Sequence, residues 1–261
     1  MKKESIGAGP ELLLLHGWGL NSAVWHELAD GLKDRYRVSL LDLPGFGLNR
    51  DILPEQYDLP SLTRLVAGQI ERPTLILGWS LGGLIAQQLA LSYPQMVRGL
   101  VCVTSSPRFV AAQDWPGIKP EVLRAFASQL HSDIAKTIER FLAIQALGSA
   151  RAKADILALR GLISQRPLPA SRALAEGLNI LELTDLRQQI RHIACPTLRI
   201  YGGKDSLVPA AALEQIEALQ PASSSMLFPS ASHAPFISHS GEFVIALGEA
   251  LAKMEKGSQT P

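Results

Sequence analysis

Apolar residues in this chain fall into two alternating patterns. Short, nearly unbroken apolar runs at 12–16, 37–42, 74–78, 100–104, 197–201 and 226–228 predict strands. Between them, apolar positions recur at helical spacing over 22–32, 61–70, 81–92, 210–219 and 242–254. A strand with no polar alternation is buried on both faces, so the pattern predicts a mostly parallel sheet between two helix layers, an α/β fold. No internal repeat or low-complexity segment interrupts it, and 255–261 reads as a frayed tail.

One long stretch breaks the alternation. Nothing of strand character lies between 109 and 186. Val122, Phe126, Leu130, Ile134, Ile138, Phe141, Leu142 and Ile144 follow helical spacing instead, punctuated by Gly148 and by Pro167 and Pro169. The expected organisation is a core made of 1–108 and 187–261, with 109–186 inserted as an all-helical lid over the carboxyl edge of the sheet.

Charge sharpens that picture. From Lys119 to Arg172 there are nine basic residues against four acidic ones, in a chain whose net charge is only +1. Such a one-signed insertion reads either as a solvated helical face or as a docking surface for an acidic partner. The near-neutral whole argues against general nucleic-acid binding. No apolar run approaches the ~20 residues that span a bilayer. Lys2 and Lys3 precede an apolar block too short for a secretion signal, so a cytoplasmic protein is expected. The only two cysteines, Cys102 and Cys195, read as free thiols; neither a metal site nor a cofactor is expected.

The candidate chemistry centres on Gly78-Trp79-Ser80-Leu81-Gly82. This G-x-S-x-G pentapeptide closes a predicted buried strand and opens a predicted helix, the context such an elbow requires. A sharp turn lifts the serine hydroxyl off the sheet edge, and the Leu81 N–H lies at a helix start, where donors lack internal partners. A serine nucleophile needs a base, and the base an orienting carboxylate. Asp205 follows the strand at 197–201 through Gly202 and Gly203. His233 sits in the loop after the last strand, giving the order Ser, Asp, His. His239 is a rival base; His26, His131 and His192 read as surface residues, and His16 as structural. The N–H of Trp18, in His16-Gly17-Trp18-Gly19, is the second candidate oxyanion donor. Trp79 reads either as a pocket liner or as core.

At these residues the chain resembles the α/β-hydrolase superfamily over essentially its whole length. It resembles most of all the carboxylesterases that act on the methyl ester of pimeloyl-[acyl-carrier protein] in biotin synthesis. The general motifs lie at 14–21, 42–47 and 77–84. More specific are Trp115-Pro116-Gly117-Ile118-Lys119-Pro120, Glu139-Arg140-Phe141-Leu142-Ala143, Thr184-Asp185-Leu186-Arg187 and 233–239. The resemblance implies an α/β-hydrolase fold, a carrier-bound methyl ester as substrate and methanol as leaving group. It implies substrate contacts at Trp18, Ser80, Leu81, Phe141, Leu142, Ala143, Ile144, Gln145 and His233. It gives the basic insertion an acidic carrier protein as partner, docked by a set of arginines. Arg140 matches that set, Lys136 and Lys153 replace arginine, and the fourth position falls near Leu157, with Arg151 or Arg160 available to compensate. A lysine lacks the bidentate fork of arginine, so the docking geometry differs here.

The expected activity is therefore that of a serine carboxylesterase working through an acyl-enzyme, as a monomer that binds neither membrane nor nucleic acid. The same scaffold also serves broad small-ester esterases and C–C bond hydrolases, and an inactive ligand-binding scaffold is the non-enzymatic alternative. Epoxide hydrolases and dehalogenases would need an aspartate where Ser80 stands.

Overall fold

The computed structural model describes residues 1–130 and 132–257. Seven strands form one sheet in the order β1-β3-β2-β4-β5-β6-β7. The strands are β1 (Lys3–Ile6), β2 (Glu11–Leu15), β3 (Arg37–Leu41), β4 (Thr74–Trp79), β5 (Val97–Val103), β6 (Thr197–Gly202) and β7 (Ser224–Phe228). Each pairing from β3 to β7 is parallel, and β1 adds to the edge antiparallel to β3.

Helices α1 (His26–Leu32), α2 (Leu59–Ala67), α3 (Leu81–Ser92), α8 (Leu213–Leu219) and α10 (Ser240–Gly257) belong to the α/β alternation. Between β5 and β6 the chain builds α4 (Pro120–Leu130), α5 (Ile134–Gln145), α6 (Ala152–Ile163) and α7 (Ser171–Leu183), and the short α9 (Pro235–Ser238) follows β7. The four consecutive helices pack on one another, and α6 rests on the core at the 3-10 turn Ser22–Trp25 and at α9.

Three of the apolar strands bury as their composition dictates: every residue of β4 and β6 is buried, and Leu12 to Leu15 are at most 2% exposed, whereas the edge strand β7 is buried only at Phe228. Even Arg199, in the middle of β6, is wholly buried. Its guanidinium donates to the amide oxygens of Gln87 on α3 and of Gln220 after α8, which satisfy it without a carboxylate.

Three expectations from the sequence need correction. The helix predicted over 22–32 is a 3-10 turn followed by the shorter α1, because the Asn21 side chain accepts from Ala23 N–H and caps the turn separately. The expected tail at 255–261 is helical to Gly257, and its remaining residues, like His131, lie outside the described residues. β1 was not anticipated: three of its four residues are exposed, so it carries no apolar signal and is held by its backbone ladder to β3.

Candidate active site

The elbow sits where β4 passes into α3. Ser80 has φ 55° and ψ −118°, a region that side chains rarely occupy, and it is flanked by glycines that allow the tight crossing. A Cβ on Gly78 would lie 2.3 Å from the Gly82 carbonyl oxygen, and one on Gly82 would lie 2.4 Å from that of Leu15. Both positions therefore require glycine if strand and helix are to stay this close. Ser80 N–H donates to Val103 O at 3.0 Å, locking the turn to the neighbouring strand.

Asp205 and His233 arrive from the ends of β6 and β7. Gly202 and Gly203 bring the chain from β6 against the Ser232 and Pro229 backbone, and Asp205 Oδ1 accepts from the N–H groups of Leu207 (2.8 Å) and Val208 (3.1 Å). Its Oδ2 accepts from His233 Nδ1 at 2.8 Å, with both side chains at most 1% exposed. The carboxylate thus fixes the tautomer: the proton sits on Nδ1, and Nε2 is left as an acceptor. Nε2 is buried without a hydrogen-bond partner among the described residues. In unliganded sites such bonds are commonly long and tighten around the reacting substrate.

The loop carrying His233 is tied to the elbow. Trp79, next to Ser80, donates its indole N–H to the His233 backbone oxygen at 2.8 Å, and Thr104 Oγ1 donates to the same atom at 2.7 Å. From the other side, His233 N–H donates to Gln145 O on α5 at 3.1 Å. Trp79 is thus committed to the loop of His233, a role its apolar character did not suggest. His239 is occupied elsewhere, by Ser230 and Ser238.

The loop after β2 closes the site. A Cβ on Gly17 would stand 3.3 Å from Ser80 Cβ, so the segment carrying Trp18 lies directly against Ser80. The Trp18 indole is fixed by the inserted helices: it donates to Leu174 O at 2.9 Å and meets the Phe141 ring at 4.7 Å between centroids. Behind it His16 is fully buried, donating from Nδ1 to Gly17 O (2.8 Å) and accepting at Nε2 from Leu43 N–H (3.0 Å). Burial lowers its pKa and keeps it neutral.

Among the substrate positions expected on α5, Phe141, Leu142 and Gln145 are buried, Ile144 is half-buried, and Ala143 faces solvent. The Gln145 amide is buried with neither its oxygen nor its nitrogen partnered among the described residues. Of the basic residues, Lys136 and Arg140 are exposed one helical turn apart on α5, and Lys153 and Leu157 are exposed on α6. Arg140 stacks over Phe126, 5.4 Å from the ring centroid, whereas Arg160 is ion-paired with Glu139. Arg151 is exposed at the start of α6. Cys102 and Cys195 are free thiols. Among the described residues no cluster of three or more His, Cys, Asp or Glu could hold a metal, and no helix is long and apolar enough to cross a membrane.

Residues 10–240 match the alpha/beta hydrolase fold family, and the chain belongs to that family. Within it, the chain is 50% identical over 242 residues to the pimeloyl-[acyl-carrier protein] methyl ester esterase of Aeromonas hydrophila, spanning 92% of this chain and 95% of that one. It is 49% identical to the enzyme of the same name from Shewanella woodyi, over 96% of this chain and 97% of the other. An esterase from Exiguobacterium antarcticum shares the fold with a TM-score of 0.84 at 22% identity, covering 97% of this chain and 94% of that one.

Proposed function

We propose that this protein is a serine carboxylesterase that hydrolyses the methyl ester of pimeloyl-[acyl-carrier protein], giving the free carboxylate and methanol in biotin synthesis. The observation that carries the chemistry is the buried Asp205–His233 pair, whose loop is hydrogen-bonded to Trp79, the neighbour of Ser80 at the strained elbow. The substrate assignment draws on the relatives of that name, which match nearly the whole length of the chain.

In this reading Ser80 Oγ attacks the ester carbonyl carbon while His233 Nε2 takes its proton. The carbonyl oxygen becomes an oxyanion and receives the N–H groups of Trp18 and Leu81. One such donor is typically worth ~3 kcal/mol of the barrier. Collapse breaks the bond to the methoxy oxygen, which leaves as methanol with the proton from His233. Water then gives a proton to His233 and attacks the acyl-enzyme; return of that proton frees Ser80 and the carboxylate. Asp205 holds the imidazole in place and stabilises its charged form. No step draws on a metal or an organic cofactor.

The helices α4–α7 act as a lid, whose Phe141, Leu142 and Gln145 line the acyl side of the site. Exposed Lys136, Arg140, Arg151 and Lys153 steer the acidic carrier protein; Arg160 contributes less because Glu139 already offsets its charge. Methanol release from carrier-bound pimeloyl methyl ester by the wild type, and its loss in Ser80→Ala, tests the assignment. A strong preference for short nitrophenyl esters over the carrier-bound substrate would instead favour a broad small-ester esterase.

A further inference from the structure

We propose that Thr104 and Ser105, the two residues at the exit of β5, are a positioning pair that sets the spacing between nucleophile and base; the inference rests on the roles given to Ser80 and His233 above. Neither residue belongs to the G-x-S-x-G elbow or to the Ser, Asp, His set. The structure nevertheless ties each to one half of it. Thr104 Oγ1 donates to the backbone oxygen of His233 at 2.7 Å, and Ser105 Oγ donates to the backbone oxygen of Ser80 at 2.8 Å. The two main-chain segments that carry the reacting groups are thus gripped by adjacent side chains on one strand end.

The backbone at this point is built for that task. Among the described residues only Ser80 and Thr104 combine a side chain with positive φ, and Thr104 has φ 39°. A β-branched residue in this region is strained, and it persists only where surrounding contacts overdetermine it. Those contacts are present: Thr104 N–H donates to Ile200 O at 2.7 Å, and both side chains are completely buried. On the opposite face, a Cβ on Gly83 would fall 2.4 Å from Ser105 Cβ and 2.5 Å from its Oγ. Glycine at 83 is what lets the Ser105 hydroxyl reach the first turn of α3. Trp79 supplies a second bond to His233 O from the nucleophile's own strand. Removing one donor therefore loosens the base loop without releasing it.

Neither hydroxyl touches the reacting atoms, so the expected signature is a change in kcat with little change in KM. Thr104→Val keeps the shape and the backbone bond but removes the donor. It should lower kcat on a short nitrophenyl ester about tenfold, within the range that small misplacements of a catalytic group produce, with KM held within about twofold. The rate of fluorophosphonate labelling of Ser80 should fall by a similar factor. Thr104→Ser should restore both. Ser105→Ala, a smaller change that keeps the fold if Thr104→Val does not, should show the same split between kcat and KM. Wild-type kcat in Thr104→Val or Ser105→Ala overturns the proposal, as does a loss that Thr104→Ser leaves unrepaired. A Ser80→Ala enzyme with full activity would overturn the underlying reading of the site instead, which separates the two failures.

Discussion

His233 reaches Asp205 through Nδ1 at 2.8 Å, while the other carboxylate oxygen of Asp205 is held by the N–H groups of Leu207 and Val208. Two of the three hydrogen bonds on this carboxylate come from its own turn, which holds its orientation independently of the imidazole. Asp205→Asn should preserve the fold but place an amide where a charge stabilises the imidazolium, and favour the tautomer with the proton on Nε2. A fall in kcat of roughly 10³–10⁴-fold is expected, with melting temperature nearly unchanged. Steady-state kinetics beside a thermal melt checks this; retention of more than a tenth of wild-type kcat would exclude Asp205 as the orienting group.

The strain at Ser80 gives a second expectation, this time about stability. At φ 55° and ψ −118° a Cβ is unfavourable, and glycine is at home. Ser80→Ala keeps the Cβ and Ser80→Gly removes it. The glycine variant should be the more stable of the two by about 1 kcal/mol, after the entropy glycine loses on folding is counted. In a chain of this size that is a melting-temperature gap of ~2–4 °C. Equal melting temperatures would show that the surrounding bonds have relaxed the turn.

How much of this was legible in the sequence differs from feature to feature. The parallel core announces itself because β4 and β6 are buried on both faces, and Ser80 and Asp205 follow them closely; His233 follows β7, a mostly exposed edge strand marked only by its short apolar run at 226–228. Chain order and local glycines were enough to single them out. The grip of Thr104, Ser105 and Trp79 on the two loops left no trace in spacing, because it depends on how residues 25 to 154 positions apart approach in space. The buried charge of Arg199 is likewise intelligible only once Gln87 and Gln220 are seen around it. β1 was invisible for the opposite reason: its outward-facing residues carry no periodic signal.

The two segments 115–120 and 184–187, distinctive in sequence but without chemistry of their own, converge at the stem of the inserted helices. Asp185 pairs with Arg187 and with Arg108, Arg187 lies 5.2 Å over the Trp115 ring, and the Trp115 indole donates to Arg108 O. Hydrogen bonds from Arg187, then from Arg108, hold the Asp185 carboxyl down at about 2, below its ordinary 3.8. A carboxylate whose folded pKa is depressed contributes stability above its unfolded pKa and loses it as pH falls through the folded one. The contribution should therefore be complete above about pH 4 and fade toward pH 2. The Asp185 side chain is 31% exposed, so solvent screening keeps the contribution modest. Urea unfolding of wild type and Asp185→Asn should show a stability difference at pH 6 that shrinks at pH 2.5. A gap independent of pH would assign the effect to packing.

Charge reversal on α5 separates docking from chemistry. Lys136 and Arg140 are exposed on α5, and Arg140 is engaged with Phe126 and Gln129. Changing both to glutamate should lower kcat/KM on the carrier-bound ester by tenfold or more while leaving a short nitrophenyl ester within about twofold. Added salt should narrow the difference, since exposed charges are screened over ~8–10 Å at physiological ionic strength. If both substrates suffer equally, the patch supports the lid and does not receive the partner.

Gly177, in the middle of α7, sets two effects of similar size against each other. Alanine there gains about 1 kcal/mol of helix propensity. Its Cβ, however, would lie 2.8 Å from Trp18 Cδ1 and 3.1 Å from Nε1, and the indole cannot retreat while it donates to Leu174 O and packs on Phe141. Either α7 moves outward or Trp18 turns, at a typical overpacking cost of ~1–3 kcal/mol. The clash should win, so Gly177→Ala is expected to be less stable than wild type. Because Trp18 carries a proposed oxyanion donor, kcat should also fall, by more than the change in KM. A Gly177→Ala enzyme that melts higher and turns over normally would mean that α7 yields without disturbing Trp18, and that the oxyanion loop is positioned by β2 alone.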